Sequence, residues 1–199
     1  MKIFFSIAAV FSMIVSFGQS FTRENNETIE SFVSRIKPIS VTIAHPVIET
    51  NTWDSSAKAI IALYGYEDTS SSNSGFTKIV GHVYFPVGEN KYRDISFGPI
   101  EEDGGYPEVL SVFFANADKD PQKELILLCK FEQRHYDYNG TFYESFIFDN
   151  PAQKSNLPLF EKLSERFYGC ECGWRTGKVE IAKFKTAKEV RAGLKKMGF

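Results

Sequence analysis

The sequence predicts an α+β fold: an antiparallel β-sheet core with an N-terminal and a C-terminal helix packed on it. Aromatic residues make up 15% of the chain, with 19 phenylalanines, and bulky rings of this kind favour a pleated, β-rich core. Strong helical periodicity is confined to a segment near each end. The stretch between reads as apolar or alternating runs broken by Gly, Pro, Asn and Asp, which is the pattern of strands and turns. No internal repeat recurs at the periods of roughly 20–50 residues that mark solenoids and propellers.

The chain opens with Met1, Lys2 and an apolar run from Ile3 to Phe17. One early positive charge followed by such a run, with Ser16 and Gly18 as small residues before a cut, predicts a cleavable secretion signal over residues 1–18. The run falls short of the roughly 18 apolar residues a membrane anchor needs, and no later segment is long and apolar enough. Cleavage would leave residues 19–199 as one globular α+β domain in the periplasm or outside the cell, with no membrane span.

Residues 25–37 predict the first helix: Ile29, Phe32, Val33 and Ile36 follow its period, Asn25 or Asn26 can cap it, and Pro38 ends it. Residues 39–56 are ambiguous, with Trp53 as an apolar anchor. Strands are expected over Ala57 to Tyr66, Lys78 to Phe85, Lys91 to Phe97, Val109 to Ala115 and Leu125 to Tyr138. A polar, Ser-rich loop over 68–75 and an acidic loop over 101–105 separate some of them. Asn139-Gly140 carries a two-residue hairpin signal, because a type I′ turn needs positive φ at both positions. Such a turn would set Phe131 opposite Phe148, Lys130 opposite Asp149, and His135 opposite Glu144. A short helix over Leu159 to Phe167, a loop over 170–177 and a strand over Lys178 to Phe184 follow. Thr186 with Glu189 three residues on forms a capping box for a last helix whose apolar stripe is Ala187, Val190, Leu194 and Met197.

The formal charge of −2 argues against nucleic acid as the partner, since phosphate binding requires a basic surface. Charge is uneven, however: residues 94–124 carry eight acids and two bases, residues 175–199 eight bases and two acids. Three cysteines, Cys129, Cys170 and Cys172, allow at most one internal bridge. Cys129 could pair with either of the others, whereas a bridge within Cys170-Glu171-Cys172 closes a very tight ring. A metal role for Cys-x-Cys lacks a second ligand pair.

One segment stands out chemically. Asn116, Asp118, Asp120 and Glu124 present oxygens at positions 1, 3, 5 and 9 of a loop between two apolar runs, and Gln122 could add its backbone carbonyl. Hard cations such as Ca²⁺ take six to eight oxygens, which alternate residues of a curling loop supply. Asn at position 1, Pro121 where such loops use Gly, and Lys119 and Lys123 depart from that pattern, so an ordinary Asp/Asn/Pro turn is the competing reading. With Phe113-Phe114-Ala115 before it and Leu125-Ile126-Leu127-Leu128 after it, the loop resembles the calcium loop of FG-GAP and VCBS-type repeats. The chain also has the look of uncharacterised exported proteins of Bacteroidetes-type bacteria. The loop resemblance covers about sixteen residues, occurs once, and implies an extracellular calcium module rather than a propeller.

Standard catalytic signatures are absent from the sequence: no G-x-S-x-G, H-E-x-x-H, Walker loop or G-x-G-x-x-G. The expected function is therefore an exported non-catalytic binding protein, stabilised by one Ca²⁺ and facing a protein or glycan ligand. The aromatic cluster Tyr136, Tyr138, Phe142 and Tyr143 is a surface for stacking on a sugar or docking a protein, or else a covered core edge. Two alternatives stand beside it. One is an inhibitor of a cationic enzyme, similar to exported lysozyme inhibitors, using the acidic region. The other is a hydrolase using His135 with Asp137 or Glu144.

Overall fold

A computed structural model describes residues 19–67, 75–101, 105–151 and 156–199. The secretion signal expected over 1–18 and most of the loops expected over 68–75 and 101–105 lie outside these residues. Strands hold 49% of the described residues and helices 16%, so the molecule is mainly β, and its strands form two antiparallel sheets rather than one.

The first sheet contains β1 (Ser20–Thr22), β2 (Thr42–Ile43), β3 (Ile48–Thr50), β4 (Ala59–Glu67), β5 (Phe76–Gly88) and β6 (Lys91–Ile100), in the order β1-β6-β5-β4-β2, with β3 also paired to β4. The second contains β7 (Pro107–Ala115), β8 (Glu124–Arg134), β9 (Tyr138–Phe148), β10 (Gly169–Trp174) and β11 (Val179–Glu180), in the order β11-β10-β9-β8-β7. Three short helices complete the described residues: α1 (Ile29–Ile36), α2 (Glu161–Ser164), which runs on into a 3₁₀ turn over Glu165–Phe167, and α3 (Ala187–Met197).

Packing places the sheets face to face with a helix on each outer side. Ile61, Leu63, Val83, Ile95 and Phe97 of the first sheet meet Leu125, Leu127, Phe131, Phe146 and Phe148 of the second in one buried core. Phe32 and Val33 of α1 cover Ile60, Ala62, Tyr64 and Tyr84 on the outside of the first sheet. Val190 and Leu194 of α3, with Phe167, cover Ile126, Leu128 and Ile147 on the outside of the second. The expected α+β arrangement, one sheet carrying both terminal helices, is overturned by this layering. The physical reason is visible in β4 and β8, whose residues Ala59–Tyr64 and Leu125–Cys129 are buried without a break. A strand covered on both faces has no polar side to alternate with, whereas a sheet covered on one face alternates.

Local signals explain most of the elements. Thr28, rather than Asn25 or Asn26, caps α1 by accepting from the Ser31 amide. Thr186 accepts from the Glu189 amide at the start of α3, and Gly198, at φ 94°, closes its end in the left-handed region. Asn90, at φ 53°, turns β5 into β6. The strand expected over Lys178 to Phe184 shortens to β11, and the loop expected over 170–177 contains most of β10.

The expected Asn139-Gly140 turn is not formed. Arg134 pairs with Asn139, Phe131 with Phe142 and Leu125 with Phe148, so the hairpin reverses at His135–Asp137 and Asn139-Gly140 lies inside β9. His135 donates its amide to the Tyr138 carbonyl at 2.9 Å across this tip. Gly140 answers a different need: a Cβ there would sit 2.7 Å from Cys172 Cα on the neighbouring strand β10. Cys170 and Cys172 form the disulfide, and Cys129 is free and buried. Strand β9 lies between β8 and β10 and separates Cys129 from both, while two cysteines two residues apart project from the same face of one strand.

Candidate metal centre

The loop between β7 and β8 closes on itself through its own side chains. Ala117 donates its amide to Oε2 of Glu124, the first residue of β8. Asp118 Oδ1 accepts from the Asp120 amide at 2.8 Å, and Asp120 Oδ1 accepts from the Gln122 amide at 2.8 Å. These are two consecutive Asx turns, in which a short acidic side chain mimics a backbone turn. No residue from 116 to 124 has positive φ, so Pro121 meets no conflict in this loop. Trp53 donates its indole N–H to the Lys123 carbonyl at 2.6 Å and packs edge-on against Phe114, pinning the loop from the side of the first sheet.

Carboxylate oxygens of Asp118, Glu124 and Asp149 lie within 4.8 Å of one another. Two oxygens bound to one calcium ion at 2.3–2.6 Å stand at most about 5 Å apart, so the spacing admits a single ion. Asp149 arrives from outside the loop. Leu125 pairs with Phe148, and continuing that register by one step brings Asp149 beside Glu124. Buried Asn150 holds it there: its backbone N–H donates to Asp149 Oδ1 at 2.7 Å, and its side-chain amide reaches Asp149 Oδ1 at 3.0 Å and Asp120 Oδ2 at 3.3 Å.

Glu124 supplies the test of fit. The residue is fully buried, and its Oε1 has no hydrogen-bond partner. Burial, reinforced by the neighbouring charges of Asp118 and Asp120, pushes its carboxyl up to about 7 from the ordinary 4.5, against the pull of the Ala117 amide. A buried carboxylate oxygen without a donor is costly unless a proton or a cation meets it. The donor set is all oxygen and formally anionic, which suits a hard divalent cation such as Ca²⁺ and not a thiophilic one.

Of the five residues the spacing singles out, the structure brings Asp118 and Glu124 into the cluster. Asp120 stands beside it, its oxygens engaged by Gln122 and Asn150, while Asn116 and Gln122 are exposed. Asp149 is the residue that sequence reasoning misses, because the Asn139-Gly140 register sends it to Lys130. Lys130 instead faces Tyr143 and forms an ion pair with Glu108 at 3.0 Å.

The histidines fall elsewhere. His135 is exposed at the hairpin tip, 3.9 Å from Asp137, while Glu144 sits across from Cys129 and not from His135. His82 binds Asp94 through Nδ1 at 2.9 and 3.1 Å on the outer face of the first sheet, with Tyr64 packed against its ring. Among the described residues no helix is long and apolar enough to cross a membrane. Comparison with protein-family models, curated proteins and solved structures finds no match.

Proposed function

We propose that the chain is an exported, non-catalytic binding protein whose second sheet is fastened by one Ca²⁺ ion between Asp118, Glu124 and Asp149. The observation that supports this reading is the unpartnered oxygen of buried Glu124 beside two further carboxylates. The ion joins the β7–β8 loop to the end of β9, so its role is to lock two strand ends together. The apolar leader over residues 1–18 supports a periplasmic or secreted location, where millimolar calcium is available to a weak site. The resemblance of the loop to exported calcium modules points the same way.

The test is a thermal melt with and without calcium. For a dissociation constant near 0.1 mM, 1 mM calcium stabilises the folded chain by about 1.4 kcal/mol. Asp149→Asn and Glu124→Gln should abolish that gain, while Asn116→Ala should keep it. An unchanged melting temperature in the wild-type chain, or an undiminished calcium shift in Asp149→Asn, rejects the site.

A further inference from the structure

The opposite end of the second sheet carries a second feature, about 33 Å from the carboxylates if β8 is counted from Glu124 to Arg134. Here the β8–β9 tip meets the β10–β11 turn: the Arg175 amide donates to the Asp137 carbonyl at 2.9 Å. Tyr138 is directly across from Trp174 in the ladder, and their ring centroids are 4.8 Å apart. Tyr138 also stacks on Phe142 at 5.8 Å and on His135 at 5.1 Å. Tyr138 and Trp174 belong to none of the three buried clusters, and Tyr136 beside them is 77% exposed.

One property distinguishes this patch from a core edge: cations rest on the rings, with the Arg175 guanidinium 4.2 Å from the Tyr136 centroid and the Lys178 ammonium 5.5 Å from that of Trp174. Lys178 is paired with Glu180, whereas Arg175 forms no ion pair among the described residues. Exposed His135 and Asp137 add hydrogen-bonding groups at the same tip.

We propose that this tip is the binding face for an acidic glycan, a sugar chain bearing carboxylates. Pyranose rings present apolar C–H faces that pack on aromatic side chains, and hydroxyls that bond to Asp and His groups. A uronate carboxylate supplies the bidentate partner that Arg175 lacks. A protein partner would need about 800 Å² on each side, whereas Tyr136 is the one aromatic ring of this tip that is mostly open. The proposal deepens the binding-protein reading by naming its ligand class, and its test runs separately from the calcium melt.

The probes are oligogalacturonate and a neutral cello-oligosaccharide of equal length, titrated by calorimetry into the full mature chain, once with calcium and once with chelator. Oligogalacturonate should bind and the neutral chain should bind at least about tenfold more weakly, with the difference shrinking at high salt. Arg175→Glu should weaken oligogalacturonate binding by about tenfold or more, and Tyr136→Ala by about fivefold. Both residues are exposed, so unchanged melting temperatures will certify the fold of each variant. Equal binding of the two sugars, undiminished binding in Arg175→Glu, or no binding of oligogalacturonate with or without calcium overturns the proposal. Loss of the calcium melting shift with sugar binding intact would sink the cation site alone.

Discussion

Glu124 makes one contribution of known sign to the pH response of the chain. Its carboxyl titrates near 7 in the fold against an ordinary 4.5, so the folded state holds this proton more tightly than the unfolded state. Whatever Glu124 contributes through that proton is fully present below about pH 4.5 and is lost as pH rises through about 7. In chelator the wild-type chain should therefore melt lower at pH 8 than at pH 5 as far as this residue is concerned. Glu124→Gln carries no such charge, so in chelator at pH 8 it should melt above the wild type, and addition of calcium should reverse the order. A variant that melts below the wild type in chelator at pH 8 contradicts the burial argument. At this scale the sequence was half legible. Spacing alone exposed Asp118 and Glu124, because alternate acids between two apolar runs are a local pattern. Asp149 was not legible, since it joins the cluster through strand pairing and not through proximity in the chain.

Strand pairing shows what kind of information a local signal lacks. The Asn139-Gly140 register and the true one differ by six residues, an even number, so every side chain keeps its face and the pattern of apolar residues fits both. Phe131 meets a phenylalanine either way, Phe148 in one register and Phe142 in the other. The deciding contact comes from β10, which packs so closely on Gly140 that no Cβ fits between them. Gly140→Ala should therefore cost about 1–3 kcal/mol in denaturant unfolding, as crowding of a packed interior does. Asn139→Ala should stay within about 0.5 kcal/mol, because its backbone is ordinary strand with no positive φ to support. A larger loss at Asn139 than at Gly140 would restore the turn. The cap at Thr186 was readable, since its chemistry is complete within a few residues.

The molecule as a whole is four layers deep, helix on sheet on sheet on helix, and this was the least legible feature. Individual strands and both terminal helices could be anticipated, but which helix covers which sheet depends on contacts between residues far apart in the chain. The uninterrupted apolar runs of β4 and β8 carried the hint, as each has to be covered on two sides. Phe32 and Phe167 are both fully buried, one under each outer layer. Each replaced by alanine should lower stability by about 3–5 kcal/mol, and the two losses should be roughly additive because the sites share no partner. Strong coupling between them would contradict the separation of the two outer layers.

Strand β1 begins at Ser20, and the Asp94 amide donates to the Gln19 carbonyl at 3.1 Å, so the first residues of the expected mature chain are stitched along the edge of the first sheet. If the chain is cut after Gly18, as its sequence predicts, the break falls one residue before β1, and a protease cleft that held Ser20 to Thr22 in extended form would compete with β6 for the same backbone groups.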